Sequence, residues 1–392
     1  MRRAFKFLLR PTARQVALLT ACLEDHRQLY NAALAERREA HRRAALILRY
    51  GAQSKQLKDI RRADPDGQGR WSFSSQQATL RRLDRAMQAY FRRVAAGQTP
   101  GYPRFKGPRS FDSVEWPEDR DGCRWNATPD RAAVRVYLQG VGHVRVHAHR
   151  KIIGRVKTLS VKREASRWYL ILSCDQVPAT PLPDTGRAVG INMGVASFLT
   201  ASDGIQIDNP RYLARSKERL ANAQRVLARR KPRSNRQRKT RARVAALHAR
   251  VRRQRIDHAH KTARWLVHHC DVIAHENLHI KNMTRSAAGT VGTPGVNVAA
   301  KAGLNRSILD AGWGVFLLIL AAKAESAGRM TIAVDPRNTS RTCPACMHCA
   351  KENRVAQADF VCMACGYAAH ADVVGARNVL RAGLARRAAE AA

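Results

Sequence analysis

Four cysteines near the C-terminus are set as two pairs, Cys343-x-x-Cys346 and Cys362-x-x-Cys365, with fifteen residues between the pairs. That spacing constrains the chain more than any other feature. A C-x-x-C pair sits on a tight knuckle whose two thiolates converge on one point, and two knuckles complete the tetrahedral four-sulfur shell of a structural Zn²⁺ ion. The stretch between the pairs, ending in Asp359-Phe360-Val361, is long enough for a short hairpin that brings the knuckles together. The competing reading, four unrelated thiols or disulfides, is disfavoured by the repeated spacing. Cys349 adds a fifth thiol in the run CPACMHC. Cys343 and Cys346 match the second pair, which leaves Cys349 as an alternate ligand or a bystander.

The 392 residues have room for two or three domains. They carry 71 Lys and Arg against 30 Asp and Glu, a formal +41, so a compact fold repels itself unless a polyanion neutralises it. Nucleic acid is the expected partner. A membrane surface is the rival, but no apolar stretch reads as long enough to span a bilayer, and MRRAFKFLLRPTARQ breaks at Pro11 without a signal-like region. A soluble, intracellular protein is expected. Cys22, Cys123, Cys174 and Cys270 are scattered singly, which suits isolated thiols in a reducing compartment.

Residues 3–9 mix basic and apolar side chains as a half-buried strand does. From Thr12, which offers a cap oxygen, Leu18, Leu19, Cys22, Leu23, Leu29, Tyr30 and Ala33 recur at helical spacing. A second helix is expected from about Ser75, with Leu80, Leu83, Met87, Tyr90 and Phe91 on one face and arginines outside it. After the loop Gly97–Pro108 the period drops to two, and Ala133–Leu138, Val144–His147, Val156–Val161 and Trp168–Ser173 read as strands of a small barrel or sheet. Residues 3–9 could join it, making the helices an insertion. Pro178–Asp184 reads as a linker, and a new strand begins at Arg187–Ile191.

Residues 225–255 hold fourteen Lys or Arg and no acid. Leu220, Leu227, Val244, Leu247, Val251, Leu266 and Val267 recur at roughly helical spacing on either side of Lys231-Pro232-Arg233-Ser234-Asn235, so the run reads as a basic helical hairpin rather than a disordered tail. Arg229, Arg230, Lys231, Arg233, Arg236, Arg238, Lys239, Arg241 and Arg243 are candidate contacts to a nucleic-acid backbone. Tyr102, Arg104 and Phe105 are further candidates, against ordinary loop packing. Residues 285–300 read as a flexible loop, and Leu304–Gly328 as one apolar helix with Gly312-Trp313-Gly314 near its start.

Three segments can each bring a carboxylate, or its substitute, to one sheet edge. They are Gly190-Ile191-Asn192-Met193-Gly194-Val195, the strand from Asp271 that ends in Glu276, and His370-Ala371-Asp372 before a helix. Glu276 and Asp372 suit the flanking of Mg²⁺ ions during an in-line attack on phosphate. Taken singly, each also reads as a solvated acid.

Around the cysteine pairs, GINMGVASFLTASDG, HENLHIKNM, SILDAGWGVF, NTSRTCPAC and CGYAAHADVVGARNVL together resemble the TnpB/OrfB family of insertion-sequence proteins, the compact RNA-guided relatives of type V CRISPR effectors. The resemblance extends over most of the chain and implies an α/β fold plus a small β-barrel. Residues 1–10 and 96–180 would form a wedge-like β-barrel and residues 11–95 a helical recognition domain. Residues 181–335 would form an RNase H-like RuvC nuclease core with the basic hairpin at about 211–270. A zinc ribbon at 336–369 interrupts that core, which resumes at 370–392. The resemblance also implies a guide RNA, target double-stranded DNA beside a short motif read by the protein, one or two protein chains per guide, and a prokaryotic cytoplasmic, nucleoid-associated setting; it leaves an associated transposase open. Base pairing then reads sequence while the protein holds backbone and shape. A DNA-rejoining transposase fits less well, because no tyrosine or serine nucleophile motif is evident.

One position departs from the family. Asn192 stands where the family normally has an aspartate that bridges the catalytic metals. Its neutral amide removes a charge where divalent cations need it, so Mg²⁺ binding and double-strand cleavage are expected to be impaired although Glu276 and Asp372 carry over. An engineered change, a natural loss leaving an RNA-guided repressor, and a CRISPR-associated effector of the same lineage all remain open. Rescue by Asp203 or Asp310 is a further possibility, but Asp203 reads more simply as a turn residue and Asp310 as a helix-start acid.

Overall fold

The computed structural model describes residues 1–108, 110–126 and 134–391, in two compact units, Met1–Pro178 and Ala179–Ala392. In the first, strand β1 (Arg3–Arg10) buries Phe5, Phe7 and Leu9 on one face, the period-two pattern of its sequence. Helix α1 (Ala13–Ala44) starts at a capping box, in which the Thr12 hydroxyl accepts from Gln15 N and the Gln15 side chain accepts from Thr12 N. Helices α2 (Tyr50–Ala63) and α3 (Phe73–Ala95) follow, α3 capped by the Ser72 hydroxyl. The apolar spacing of the sequence does not reveal α2, whose buried residues are Gln53 and Leu57.

Strands β2 (Ser113–Trp116), β3 (Cys123–Asn126), β4 (Arg135–Leu138), β5 (Gly142–His147), β6 (Arg155–Glu164) and β7 (Arg167–Asp175) complete a seven-stranded antiparallel sheet in the order β2-β6-β7-β1-β5-β4-β3. The expected barrel is corrected here: β2 and β3 are open edges, and among the described residues no ladder joins them. The strand expected at Ala133–Leu138 begins outside the described residues. His26 of α1 is fully buried, with Nδ1 at 2.7 Å from Cys22 O and Nε2 at 2.8 Å from Ser75 Oγ on α3. Burial holds its pKa down to about 4, so it packs as a neutral ring.

In the second unit, β8 (Ala188–Asn192), β9 (Ser197–Ala201) and β10 (Gln206–Asp208) form an antiparallel meander. Helices α4 (Tyr212–Ala228) and α5 (Asn235–His269) form the basic hairpin. Strand β11 (Val272–Glu276), the short helix α6 (Ile280–Met283), helices α7 (Val298–Ala311) and α8 (Trp313–Ala327) and strand β12 (Met330–Val334) follow. The sheet order is β10-β9-β8-β11-β12, with β8, β11 and β12 parallel. Strands β13 (Asp359–Val361) and β14 (Ala368–His370) and helix α9 (Ala371–Ala391) close the chain.

Four expectations change in this unit. The loop over 285–300 ends early, since α7 begins at Val298, and the apolar stretch after it is two helices broken at Gly312, whose φ of 75° is left-handed. Val298–Ala327 is also long and apolar enough to cross a membrane by length and composition, contrary to the sequence reading. In this fold Trp313, Phe316, Leu320, Ala324 and Ala327 recur along one side of α8 and pack in the core of the unit. Finally, Asp310 sits at the end of α7 rather than at a helix start. It accepts from Leu213 N at the first turn of α4 and pairs with Arg255 of α5.

Candidate acid centre and cysteine cluster

Strands β8 and β11 run side by side in parallel with His275 opposite Ile191, so Asn192 and Glu276 each stand one residue further on, at the carboxyl ends of neighbouring strands. Helix α9 lies directly on these strands. A Cβ on Gly190 would meet Ala376 O at 2.1 Å, and one on Gly383 would meet the Ala274 Cβ at 2.6 Å, so both close approaches require glycine. The approach delivers Asp372, in the first turn of α9, to the same strand ends. The partial positive charge of the helix start favours its carboxylate there.

Asn192 Nδ2 donates to Asp372 Oδ1 at 3.2 Å. Gly375, less than a turn beyond Asp372, leaves room for that amide: a Cβ there would lie 3.3 Å from Asn192 Nδ2. Glu276 is buried, and its Oε1 accepts from Thr339 Oγ1 at 2.7 Å. Burial raises the Glu276 pKa above the ordinary carboxylate range; the Thr339 hydrogen bond opposes this and the charge of Asp372 adds to it. Thus position 192, Glu276 and Asp372 converge, as their motifs suggest.

A pair of divalent cations needs a bridging anion, and position 192 instead directs an N–H at the Asp372 oxygen. Two carboxylates remain, so the trio does not fit a bridged metal pair. Among the described residues, the cysteine quartet is the only cluster of three or more Cys, His, Asp or Glu ligand atoms close enough to share an ion.

In that quartet the ligand sulfurs of Cys343, Cys346, Cys362 and Cys365 all lie within 4.8 Å of one another, with Cys343 to Cys365 at 3.7 Å and Cys346 to Cys362 at 3.5 Å. A tetrahedron with Zn–S bonds of ~2.3 Å has edges of roughly 3.8 Å, so the cluster fits a zinc ribbon. The knuckles are alike: Cys343 N donates to His348 O and Cys362 N to Tyr367 O, each at 2.9 Å. The expected hairpin is placed differently, because β13 pairs with β14 around the second knuckle rather than between the two. Cys349 lies outside the cluster and is exposed.

Residues 159–287 match a family model described as "Probable transposase", residues 313–379 one described as "Cas12f1-like, TNB domain", and residues 1–45 one described as "Helix-turn-helix domain". The Escherichia coli (strain K12) protein "Putative RNA-guided DNA endonuclease InsQ" is 35% identical over 385 residues, covering 97% of this chain and 92% of that protein. The chain belongs to the TnpB/OrfB family. A second relative, the Streptomyces pristinaespiralis protein "Putative RNA-guided DNA endonuclease", is 29% identical over 99% of this chain and 91% of its own length. A cryo-EM structure of a Cas12f1–sgRNA–target DNA complex aligns over 97% of this chain and 99% of its own, at 17% identity and a TM-score of 0.35.

In this TnpB/OrfB chain residues 1–45 are one strand and one long helix rather than two helices and a turn. Of the hairpin candidates, Arg229 ends α4, Arg230, Lys231 and Arg233 form the connection, and Arg236, Arg238, Lys239, Arg241 and Arg243 line the first turns of α5. All are exposed except Arg230 and Arg241, which are half-buried. Tyr102 and Arg104 are exposed in the first unit. Asp203 pairs with Arg187 and accepts from Ile205 N, which makes it a turn residue.

Besides Thr339, two further polar residues escaped the sequence reading of the TnpB/OrfB centre. Asn378 of α9 is buried and donates to Thr339 O and Thr342 O, both at 2.7 Å, tying the approach to the first knuckle onto the helix that carries Asp372. Asn353 is fully buried, donates to His348 O at 3.1 Å and accepts from Met363 N at 3.0 Å, joining the two knuckles. A lone amide among Val374, Ala376 and Val379 was the available signal for Asn378.

Proposed function

We propose that this TnpB/OrfB protein is an RNA-guided DNA-binding protein that holds a guide RNA and target double-stranded DNA, with its cleavage chemistry impaired at Asn192. The observation that carries the impairment is the Asn192 amide donating to Asp372 beside Glu276. Guided binding is supported by the relatives named as RNA-guided DNA endonucleases and by the formal +41. The exposed arginines and lysines of the α4–α5 hairpin would grip phosphates, a contact that weakens with salt and ignores sequence.

The strand order with a parallel β8-β11-β12 core and α9 across it supports reading residues 181–335 and 370–392 as an RNase H-like RuvC core. In the same reading, residues 1–10 and 96–180 are the wedge, 11–95 the recognition helices and 336–369 the zinc ribbon. The cysteines would hold one Zn²⁺ as a closed structural site with no position for substrate. The close approaches at Gly190, Gly375 and Gly383 leave the frame around Asn192 intact, which favours binding without cutting over general decay of the fold.

Sequencing of the RNA that co-purifies with the protein, followed by a binding assay with a duplex matched to it, tests this reading. A discrete structured RNA and selective retention of the matched duplex are expected. A random mixture of RNAs with equal retention of unmatched duplex would reduce the protein to a general polyanion binder.

A further inference from the structure

Tyr102 and Phe105 are 38% and 48% exposed, an unusual amount for aromatic rings in a loop held as firmly as this one. Arg93 donates to Gly101 O at 2.9 Å on one side. On the other, Lys106 N donates to Asn31 Oδ1 at 2.7 Å, and Asn31 and Arg27 both donate back to Lys106 O. Tyr90 meets Tyr102 edge-on with ring centroids 5.0 Å apart, which fixes the plane of the Tyr102 ring. The backbone and its neighbours therefore present both rings outward.

The rings face the C-terminal half of α1 across a cavity of about 500 Å³, which Arg38, Glu39, His41 and Arg42 also line. The Arg38 guanidinium lies 5.4 Å from the Phe105 ring centre and 6.0 Å from that of Tyr102. Glu39, the acid of the cavity, accepts from both Arg42 and Arg43, so its charge is already matched. What remains is two aromatic faces and a guanidinium plane in a positively charged recess.

We infer that Tyr102, Phe105 and Arg38 form a stacking site for one unpaired nucleobase of bound nucleic acid. This rests on the nucleic-acid reading proposed above. Aromatic faces accept any base, and the guanidinium stacks as well while offsetting the adjoining phosphate. A base inside a duplex has no free face, so the site selects single-stranded or extruded nucleotides.

Fluorescence anisotropy on the full chain tests the site, with a labelled ten-nucleotide single-stranded RNA, DNA of the same sequence, and the blunt DNA duplex as probes. For Tyr102→Ala/Phe105→Ala the expected result is single-strand affinity weakened about 5- to 150-fold at an unchanged salt slope, with duplex affinity unchanged. A loss confined to the RNA probe identifies a guide nucleotide, and one confined to the DNA probe identifies a nucleotide of the target. Phe105→Leu, which keeps bulk without a π-face, should weaken single-strand binding in the same direction, and Tyr102→Phe should keep it. Wild-type single-strand affinity in both the double variant and Phe105→Leu would overturn the site, as would equal loss for strand and duplex in Phe105→Leu. Failure of the unmodified chain to bind either single strand at low salt would overturn the nucleic-acid reading and the site with it.

Discussion

Asn192 Nδ2 lies 3.2 Å from Asp372 Oδ1, so an amide of the chain itself satisfies an acid oxygen at the carboxyl ends of β8 and β11. Asn192→Asp exchanges this hydrogen bond for a third carboxylate beside Glu276 and Asp372. In chelator it should lower stability by about 1–3 kcal/mol, and Mg²⁺ should restore the loss. Thermal unfolding of both proteins with EDTA and with Mg²⁺ checks this; equal melting of the two in EDTA would contradict it.

Thr339 holds the Glu276 carboxylate, and Asn378 holds the backbone of Thr339. In the Asn192→Asp background, Thr339→Val should reduce Mg²⁺-dependent cleavage about 10- to 100-fold, the usual cost of losing a group that orients a metal-binding side chain. Thr339→Ser should retain most of it. Equal cleavage by the Val and Ser variants would show that the hydroxyl does not orient Glu276.

The cysteine cluster should carry one zinc per chain. Cys343→Ser should lose it, because three thiolates no longer close the shell, and should leave residues 336–370 open to protease while the first unit stays resistant. Cys349→Ser should keep the metal, since Cys349 lies outside the cluster. Zinc content measured on the two variants separates these outcomes, and loss in Cys349→Ser alone would reassign the ligands.

His26 is neutral and buried between α1 and α3, with its pKa held down to about 4 against an ordinary 6.5. The unfolded chain therefore binds the proton more readily, and stability should fall as pH drops below the ordinary value, by roughly 2 kcal/mol at pH 5. His26→Gln should lose that pH dependence even if it is less stable at pH 7. Denaturant titrations at pH 7 and pH 5 measure it, and an unchanged slope with pH in the variant would place the sensitive group elsewhere.

How much of this was legible in the sequence follows from where each signal is stored. The two C-x-x-C pairs and the basic hairpin were readable because ligand spacing and helical period are local properties, and α4 and α5 flank the Pro232 turn as their apolar residues require. Glu276 and Asp372 were found as motif positions, but only the Gly190 and Gly383 contacts of α9 explain why they meet. Helix α2 is not legible because it buries so few apolar residues, and the strand pattern leaves barrel or sheet open because closure depends on edge pairing that no single strand encodes. The role of Asp310 was misread for the same reason, since the helix it caps lies 97 residues earlier in the chain. Thr339, Asn353 and Asn378 act through hydrogen bonds between distant segments, which periodicity does not record.

The most direct test loads the present chain and its Asn192→Asp variant with the same guide RNA and follows Mg²⁺-dependent cutting of a matched DNA duplex. Cleavage by the variant at a rate at least ~100-fold above the parent, with equal duplex binding by both, is the predicted result. Rapid cutting by the parent, or an inert variant that still binds its target, would mean that position 192 does not govern the chemistry of this centre.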